Sequence, residues 1–290
     1  MPLPLLENAP AKVNLTLRVL ARRVDGYHEL ESLVVFADRH DRLSFAPGGA
    51  LSLTLSGATA VQAGADADNL VLKAARALAA RIPSISLGAF HLEKNLPVAA
   101  GLGGGSSDAA AALRLIMRAN GLAPGAPQPY DAARATGADV PVCLNPRPQL
   151  MRGIGERLSE PLTLPSLPAV LVNPGVALAT KDVFAGWKPG AAAAAPLDLA
   201  ALAKLESRDQ LLPILQSQPN DLETPAIALQ PVIADVLSAL HGFASCQLGR
   251  MSGSGATCFG LFPSAAEAEI AAKILRSKYP NWWVQACTLG

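Results

Sequence analysis

The feature that most constrains this chain is a glycine-rich segment placed between a predicted strand and a predicted helix. Residues 97–108 read PVAAGLGGGSSD, with glycine at four of the five positions from 101 to 105. Because glycine has no Cβ atom, backbone N–H groups here can approach phosphate oxygens, and the N-terminus of the following helix adds partial positive charge. The pattern predicts a phosphate-binding loop. The alternative is a flexible surface turn in which Ser106 and Ser107 compete to cap the helix.

Two familiar nucleotide-binding loops do not fit this spacing. A Walker A loop needs a lysine followed by serine or threonine directly after the glycines, and a dinucleotide-binding fold needs an acidic residue at the end of a second strand about 20 residues further on. The sequence has neither feature. The spacing therefore disfavours both folds.

Local patterns in the rest of the sequence predict an α+β chain. Apolar and polar residues alternate at 13–19, which places Lys12 and Asn14 on the polar face of a strand. The other predicted strands are 30–36, 51–55, 89–93, 257–262 and 282–288, and the predicted helices are 69–81, 109–118 and one that begins at a capping box from Ser264 to Glu267.

A domain boundary is predicted where prolines become frequent, between about residues 145 and 174. The expected domains are 1–155, which holds the glycine-rich loop, and 156–290. With 290 residues, 50% of them hydrophobic, the chain can bury a core of this size. The low-complexity run Ala191–Ala195 is predicted to be a surface loop.

Composition restricts the kind of partner. The chain has 24 Lys and Arg against 23 Asp and Glu, so it lacks the broad basic field that nucleic acids or anionic membranes require. Its four scattered cysteines predict reduced, buried thiols and no metal site. The N-terminus does not resemble a secretory signal, and no window is long and apolar enough to span a membrane. We expect a cytoplasmic protein with a small-molecule partner.

Several candidate site residues have a structural interpretation beside the functional one. Asp139 precedes an apolar run within GADVP, where a turn or helix-capping aspartate is the simpler explanation, and Lys12 taken alone is a solvated strand lysine. Tyr27, His28 and Phe36 could form an aromatic wall that stacks a base, although core packing explains them more simply. A second glycine cluster at 249–256 could pack against the phosphate loop or the acceptor, or could simply form a tight turn between strands.

Three segments together resemble one known family. PAKVNL at 10–15, the loop at 97–108 and MSGSGAT at 251–257 are similar, in this order, to the three motifs of the galactokinase, homoserine kinase, mevalonate kinase and phosphomevalonate kinase (GHMP) superfamily. The resemblance implies a two-domain GHMP kinase fold. Its N-terminal half is expected to be like the second domain of ribosomal protein S5, and its C-terminal half to be ferredoxin-like.

Longer strings resemble one branch of this superfamily. They are APAKVNLTL at 9–17, RVDGYHEL at 23–30, GLGGGSSDAA at 101–110 and GADVP at 137–141, and the likeness extends to Asn69, 153–156 and 220–223. That branch implies transfer of the γ-phosphoryl group of ATP, with Mg²⁺, to the 2-hydroxyl of a methylerythritol that carries a cytidine diphosphate group, in the non-mevalonate route of isoprenoid biosynthesis. The chain is then expected to be a monomer or weak homodimer.

The resemblance also implies roles for individual residues. Asp139 would accept the proton of the substrate hydroxyl, while Lys12 keeps Asp139 ionised and offsets charge near the transferring phosphoryl group. The nucleotide would be bound by Asn69, Lys94, Asn95, Pro97, Gly101, Gly103, Gly104, Gly105, Ser106, Ser107 and Asp108, with Lys94, Asn95 and Pro97 at the adenosine end and Ser107 and Asp108 near the terminal phosphates or magnesium. The acceptor would be bound by Asn14, Tyr27, His28, Phe36 and Phe184.

Two segments depart from the family pattern. Residues 145–150 replace an expected glycine-rich turn, and the alanine loop lies close in sequence to Phe184.

Two other functions are alternatives to this one. A GHMP kinase acting on mevalonate or homoserine would keep both glycine clusters but need no base-stacking aromatics. A nucleotide-sensing module without catalytic activity would not need both Lys12 and Asp139.

Overall fold

The computed structural model describes residues 4–65, 68–189 and 195–290. Within them the strands are β1 Leu5–Asn14, β2 Arg18–Arg22, β3 His28–Pro47, β4 Ser52–Ser56, β5 Gly88–Glu93, β6 Gln149–Gly153, β7 Arg157–Leu158, β8 Leu167–Asn173, β9 Leu248–Met251, β10 Cys258–Leu261 and β11 Trp283–Leu289. The helices are α1 Ala60–Ala63, α2 Leu70–Ala79, α3 Gly104–Ala119, α4 Pro127–Thr136, α5 Val140–Leu144, α6 Thr180–Gly186, α7 Leu199–Leu202, α8 Arg208–Ser217, α9 Glu223–Leu229, α10 Val232–His241 and α11 Ala265–Lys278. None of these helices has the length and apolarity needed to cross a membrane.

The chain divides into two compact units that alternate along the sequence. Unit 1 draws on Met1–Ala11, Arg39–Val98 and Gly103–Pro146, and unit 2 on Lys12–Asp38, Ala99–Leu102 and Arg147–Gly290. Strand β3 and the glycine-rich loop are therefore each divided between the units. The predicted division into 1–155 and 156–290 remains a prediction.

Unit 1 combines a small sheet with a group of helices. The second part of β3 pairs antiparallel with β5, from Arg42 opposite Glu93 to Pro47 opposite Gly88. β4 pairs parallel with the other side of β5. Phe45 and Phe90 stack on the inner face with ring centroids 4.5 Å apart, and α2, α3, α4 and α5 pack together. This aromatic pair and the strand pairing hold β3 and β5 together. β5 leads directly into the glycine-rich loop.

Unit 2 is built on antiparallel pairing. β8 lies between β10 and β11, β10 also pairs with β9, and the first part of β3 pairs with β2 and β6. Helices α10 and α11 pack on the strands of this unit. A cluster of buried aliphatic residues from the strands and these helices, including Val172, Val236 and Leu275, forms its core.

Most predicted elements are present, with two instructive differences. Helix 69–81 is confirmed as α2, and the capping box at Ser264 and Glu267 begins α11. The helix predicted at 109–118 starts earlier, at Gly104, because the glycines of the loop themselves adopt helical conformation. The strand predicted at 13–19 is split between β1 and β2, since Leu17 leaves that pairing to form a bridge with Asn220. Residues 191–194 of the predicted alanine loop lie outside the described residues.

Candidate active site

The N-terminus of α3 has the properties of an anion-binding site. Gly103 occupies the N-cap position in a left-handed conformation, with φ 59°, and no described side chain caps the helix. The first N–H groups of a helix have no acceptor within it and point toward its N-terminal end. In α3 these groups belong to Gly104, Gly105 and Ser106, which are three of the predicted phosphate-binding residues. The glycine segment is thus the ordered start of a 16-residue helix, so the alternative of a flexible surface turn is wrong.

Two buried polar atoms in the first turns of α3 have no partner. Ser107 and Asp108 are buried, and neither Ser107 Oγ nor Asp108 Oδ1 has a hydrogen bond to any described residue. Leaving such an atom unsatisfied costs about 1–3 kcal/mol. A bound polar ligand or a hydrated cation would remove that cost. The two atoms therefore fit the predicted contact of Ser107 and Asp108 with terminal phosphates or magnesium.

Lys94 connects the end of β5 to α3. Its buried ammonium group donates to Asp108 Oδ2 at 2.7 Å and also to Asp41 Oδ2. Asp41 Oδ1 accepts from the backbone N–H groups of Asn95, at 2.5 Å, and Leu96, at 2.8 Å. Asp41 was not among the predicted residues. Its signal in the sequence is its spacing, because it shares a strand face with Leu43 and Phe45, which are both buried.

Burial and charge shift the ionisation of this cluster. Burial raises the pKa of Asp108 to about 7; the Lys94 ammonium opposes this shift, and the carboxylate of Asp41 adds to it. Burial alone would lower the pKa of Lys94, but the carboxylates of Asp108 and Asp41 raise it overall. Lys94 therefore stays charged, and its ammonium group is bound by two carboxylates of the protein.

Asn69 and the segment before Pro97, both predicted to bind the nucleotide, have defined backbone or capping roles. Asn69 caps α2 by accepting from Val71 N at 3.0 Å, and its amide group donates to the Gly64 carbonyl at 2.7 Å. Thr59 Oγ1 donates to the Leu96 carbonyl at 2.7 Å, which fixes the chain just before the half-buried Pro97. The side chains of Asn69 and Lys94 thus shape this region through contacts inside unit 1.

In unit 2 the two glycine clusters are in direct contact. Ser252 Oγ donates to the Gly101 carbonyl at 3.0 Å, and Thr257 N donates to the Ala100 carbonyl at 3.1 Å. Gly101 has φ 76°, and a Cβ atom there would collide with the Ser252 carbonyl oxygen. The prediction that the second cluster packs against the phosphate loop is confirmed for this part of the loop.

Asn220 holds the second cluster in place. Its amide group donates to the carbonyls of Met251, at 2.8 Å, and Gly253, at 2.9 Å, while its oxygen accepts from Leu222 N. These three hydrogen bonds all join residues of unit 2. The sequence marked Asn220 only as part of a family likeness, without a role.

Lys12 and Asn14 point to the same side of β1, as predicted. Both are buried, and Lys12 Nζ donates to Asn14 Oδ1 at 3.1 Å. Asn14 also donates from its amide group to Ser32 Oγ at 2.7 Å, and from its backbone to Ser252 Oγ at 3.1 Å. The interpretation of Lys12 as a solvated strand lysine is therefore wrong.

Asp139 stands at the N-cap position of α5 but makes no side-chain capping hydrogen bond. It is half-buried, and α5 packs against α3 within unit 1. The Asp139 side chain thus does not cap the helix, although the residue lies in the turn that precedes α5, as the simpler explanation expected. Its carboxylate belongs to the same unit as the start of α3.

Aromatic rings form a cluster around His28 in unit 2. The His28 ring stacks on Phe184, with centroids 4.8 Å apart, and meets the edge of Trp187 at 5.7 Å. Burial, with a smaller contribution from the charge of Arg22, lowers the pKa of His28 and favours its neutral form. Trp187 was missed; it directly follows α6, and its backbone N–H donates to the Phe184 carbonyl.

The remaining predicted acceptor residues differ in exposure. Tyr27 is 58% exposed, next to His28 at the start of β3. Phe36 is buried, and its backbone exchanges hydrogen bonds with Gly290 at the end of the sheet. Among the described residues, Phe36 has no ring contact with the His28 cluster, so core packing accounts for it in this structure.

Comparisons with known proteins agree with this geometry. Residues 69–146 match the family of GHMP kinases N terminal domain, and residues 197–281 match GHMP kinases C terminal. A protein of Rhodopseudomonas palustris (strain ATCC BAA-98 / CGA009) is 56% identical over 292 residues, 99% of this chain and 97% of that protein. A protein of Methylorubrum extorquens is 54% identical, covering 99% of both chains. Both carry the name 4-diphosphocytidyl-2-C-methyl-D-erythritol kinase.

Solved structures show the same fold. A crystal structure of 4-(cytidine 5'-diphospho)-2C-methyl-D-erythritol kinase superposes with a TM-score of 0.77 at 35% identity, covering 99% of both chains. The crystal structure of homoserine kinase from Cytophaga hutchinsonii gives a TM-score of 0.74 at 20% identity, with 100% of this chain and 95% of that chain covered. The second similarity concerns the fold alone.

Proposed function

Because the chain belongs to the GHMP kinases, we propose that it transfers the γ-phosphoryl group of ATP to the 2-hydroxyl of 4-diphosphocytidyl-2-C-methyl-D-erythritol. The products are ADP and the 2-phosphate, within the non-mevalonate route of isoprenoid biosynthesis. The observation that carries this proposal is the identity of more than half of all residues, over almost the whole chain, to proteins of that name. The arrangement of the glycine clusters, Lys12 and the His28 cluster supports it.

The nucleotide binds at the glycine-rich loop in this proposal. The free N–H groups at the start of α3 hold phosphate oxygens. Magnesium, when bound with the nucleotide, neutralises charge on the terminal phosphates. Ser107 Oγ and Asp108 Oδ1, the buried oxygens without a partner, are the loop atoms that fit it.

Asp139 acts as the general base on the acceptor hydroxyl. Its carboxylate can accept a proton from the attacking oxygen as the bond to phosphorus forms. Lys12 offsets the negative charge that accumulates near the transferred group, and Asn14 holds its ammonium in position. Correct placement of the hydroxyl relative to the γ-phosphoryl group supplies most of the rate, as in other phosphoryl transfers.

The aromatic cluster is the proposed site for the cytosine base. The flat faces of Phe184 and the exposed Tyr27 offer stacking surfaces. A neutral His28 ring can both donate to and accept from the edge of cytosine, and its lowered pKa favours that form. Trp187 packs almost perpendicular to His28 and fixes the orientation of its ring. Mevalonate and homoserine have no base, so a kinase for either would not need this cluster.

The remaining expectations follow from the same proposal. The partner is a small molecule carrying a cytidine diphosphate group, and neither nucleic acid nor membrane is required. We place the protein in the cytoplasm, as a monomer or weak homodimer. The two family matches, at 69–146 and 197–281, lie on opposite sides of residue 155 and support the proposed domains 1–155 and 156–290.

Analysis of the product tests the proposal. Purified protein is incubated with ATP, Mg²⁺ and the cytidyl substrate, and the product is examined by mass spectrometry and phosphorus NMR. We expect one added phosphate, present as a monoester on the carbon that bears the 2-hydroxyl, with the diphosphate bridge intact. A phosphate on another hydroxyl, or an unchanged substrate, contradicts the proposal.

A further inference from the structure

Asp41 lies at the centre of a buried charged cluster, and the proposed function assigns it no role. It is fully buried in the second part of β3. Its carboxylate accepts from three donors: the Lys94 ammonium and the backbone N–H groups of Asn95 and Leu96. These donors lie in the segment that joins β5 to the glycine-rich loop. One side chain therefore fixes both the path of this segment and the direction of the Lys94 side chain.

Lys94 links Asp41 to α3. Its ammonium donates to Asp108 Oδ2 at 2.7 Å in the second turn of the helix. It also packs against the first residue of the helix, since a Cβ atom on Gly104 would lie only 3.1 Å from Lys94 Nζ. The ammonium is buried against these groups, so its contribution to nucleotide binding runs through the position of α3.

We propose that Asp41 is a positioning residue for the nucleotide loop: by holding Lys94, Asn95 and Leu96 it fixes the start of α3 in the place where the triphosphate binds. The inference deepens the proposed function, on which it rests for the identity of the ligand at α3. It assigns Lys94 a new part in this task, as the link between Asp41 and the helix.

The two carboxylates on Lys94 are not equivalent. Asp41 satisfies three donors, whereas Asp108 accepts one hydrogen bond through Oδ2 and leaves Oδ1 without a partner. One carboxylate suffices to balance the charge of Lys94. Replacement of Asp41 by asparagine should therefore disturb both the Asn95–Leu96 segment and the side chain of Lys94.

The test compares two isosteric variants, Asp41→Asn and Glu31→Gln. ATP binding is measured by calorimetry, and the Michaelis constants for ATP and for the acceptor are measured separately. We expect Asp41→Asn to weaken ATP binding at least tenfold, because an amide offers fewer acceptors and turns an N–H group toward Lys94. The acceptor Michaelis constant should stay within twofold of that of the unaltered protein.

A matched control separates positioning from general loss of stability. Glu31 is a buried carboxylate of unit 2 that likewise accepts from three residues, Arg18, Arg152 and Leu197. Glu31→Gln should lower the thermal midpoint as Asp41→Asn does, but leave the ATP dissociation constant unchanged. If Asp41→Asn does not fold, Asp41→Glu, which keeps the charge and displaces it by one methylene group, serves in its place.

Two results would overturn the inference. One is an Asp41 variant that loses thermal stability but binds ATP with the affinity of the unaltered protein. The other is an equal loss of ATP affinity in Asp41→Asn and Glu31→Gln, which would assign the effect to a general loss of stability. Both readouts concern ATP binding alone, so they remain valid if the unaltered protein phosphorylates a different acceptor from the one proposed.

Discussion

Ser252 and Gly101, 151 residues apart in the sequence, are joined by a hydrogen bond of 3.0 Å from the serine hydroxyl to the glycine carbonyl. The same hydroxyl accepts from the backbone N–H of Asn14 at 3.1 Å. One buried side chain thus ties the second glycine cluster to the turn of the phosphate loop and to the strand that carries Lys12. The three segments that resemble the GHMP motifs meet here within unit 2.

Replacing Ser252 by alanine should therefore affect both stability and nucleotide binding. The change leaves Asn14 N–H and the Gly101 carbonyl without their partner, at a cost of about 1–3 kcal/mol in the free energy of unfolding. The Michaelis constant for ATP should rise, because the turn at Gly101 is no longer fixed. Denaturant titration and steady-state kinetics measure the two effects. Ser254→Ala, which removes an exposed hydroxyl from the same cluster, should be closer to the unaltered protein in stability.

Asp139→Asn tests the general base. The amide keeps the size of the side chain but cannot take the proton of the acceptor hydroxyl, so kcat should fall by roughly 10²- to 10⁴-fold. ATP affinity should change little. Asp131→Asn is the control, because Asp131 is an exposed residue of α4 paired only with Arg134 in the same helix. A normal kcat for Asp139→Asn would remove Asp139 as the base.

The state of His28 should give acceptor binding a defined pH dependence. Burial lowers the pKa of His28 below its ordinary value of 6.5, so the ring stays neutral at and above that pH. The acceptor Michaelis constant should be flat from about pH 8 down to about pH 6.5 and increase at lower pH, where the ring gains a proton. His28→Gln should bind the acceptor more weakly and remove this increase. An unchanged pH profile in the variant would exclude His28 as its origin.

The raised pKa of Asp108 predicts how stability depends on pH. The folded protein holds a proton on Asp108 up to about pH 7, whereas the unfolded chain releases it near the ordinary value of 3.8. Between these values the folded state binds more protons, so this group's contribution to stability is complete below pH 3.8 and is lost as pH rises toward 7. The difference in unfolding free energy between the unaltered protein and Asp108→Asn should decrease across this window. An increase would contradict the sign of the shift.

Local sequence patterns were sufficient for the elements around the site. Glycine spacing indicated the phosphate loop, helical periodicity and Asn69 indicated α2, and alternation indicated β4. These patterns depend on neighbours in sequence, which a single chain displays directly. The start of α3 at Gly104 was missed because glycine has low intrinsic helix propensity, and the fold overrides it.

Contacts between distant segments were beyond the reach of local patterns. Asp41 looks like any charged strand residue until β3 and β5 are paired, and only then does it face Lys94. Trp187 and His28 meet because α6 folds back on the start of β3. The alternation of the two units along the chain likewise depends on long-range pairing of β3. Asp139 was predicted as a catalytic residue only from the family resemblance, because its local sequence pattern favoured a helix-capping role.

The most direct test of the account is ADP release by the purified protein with ATP and Mg²⁺, measured in parallel with 4-diphosphocytidyl-2-C-methyl-D-erythritol, mevalonate, homoserine and no acceptor. The account predicts release with the cytidyl substrate alone. Release with mevalonate or homoserine instead would contradict the substrate and the role of the His28 cluster. No release with any acceptor would contradict phosphoryl transfer itself and favour a nucleotide-sensing role.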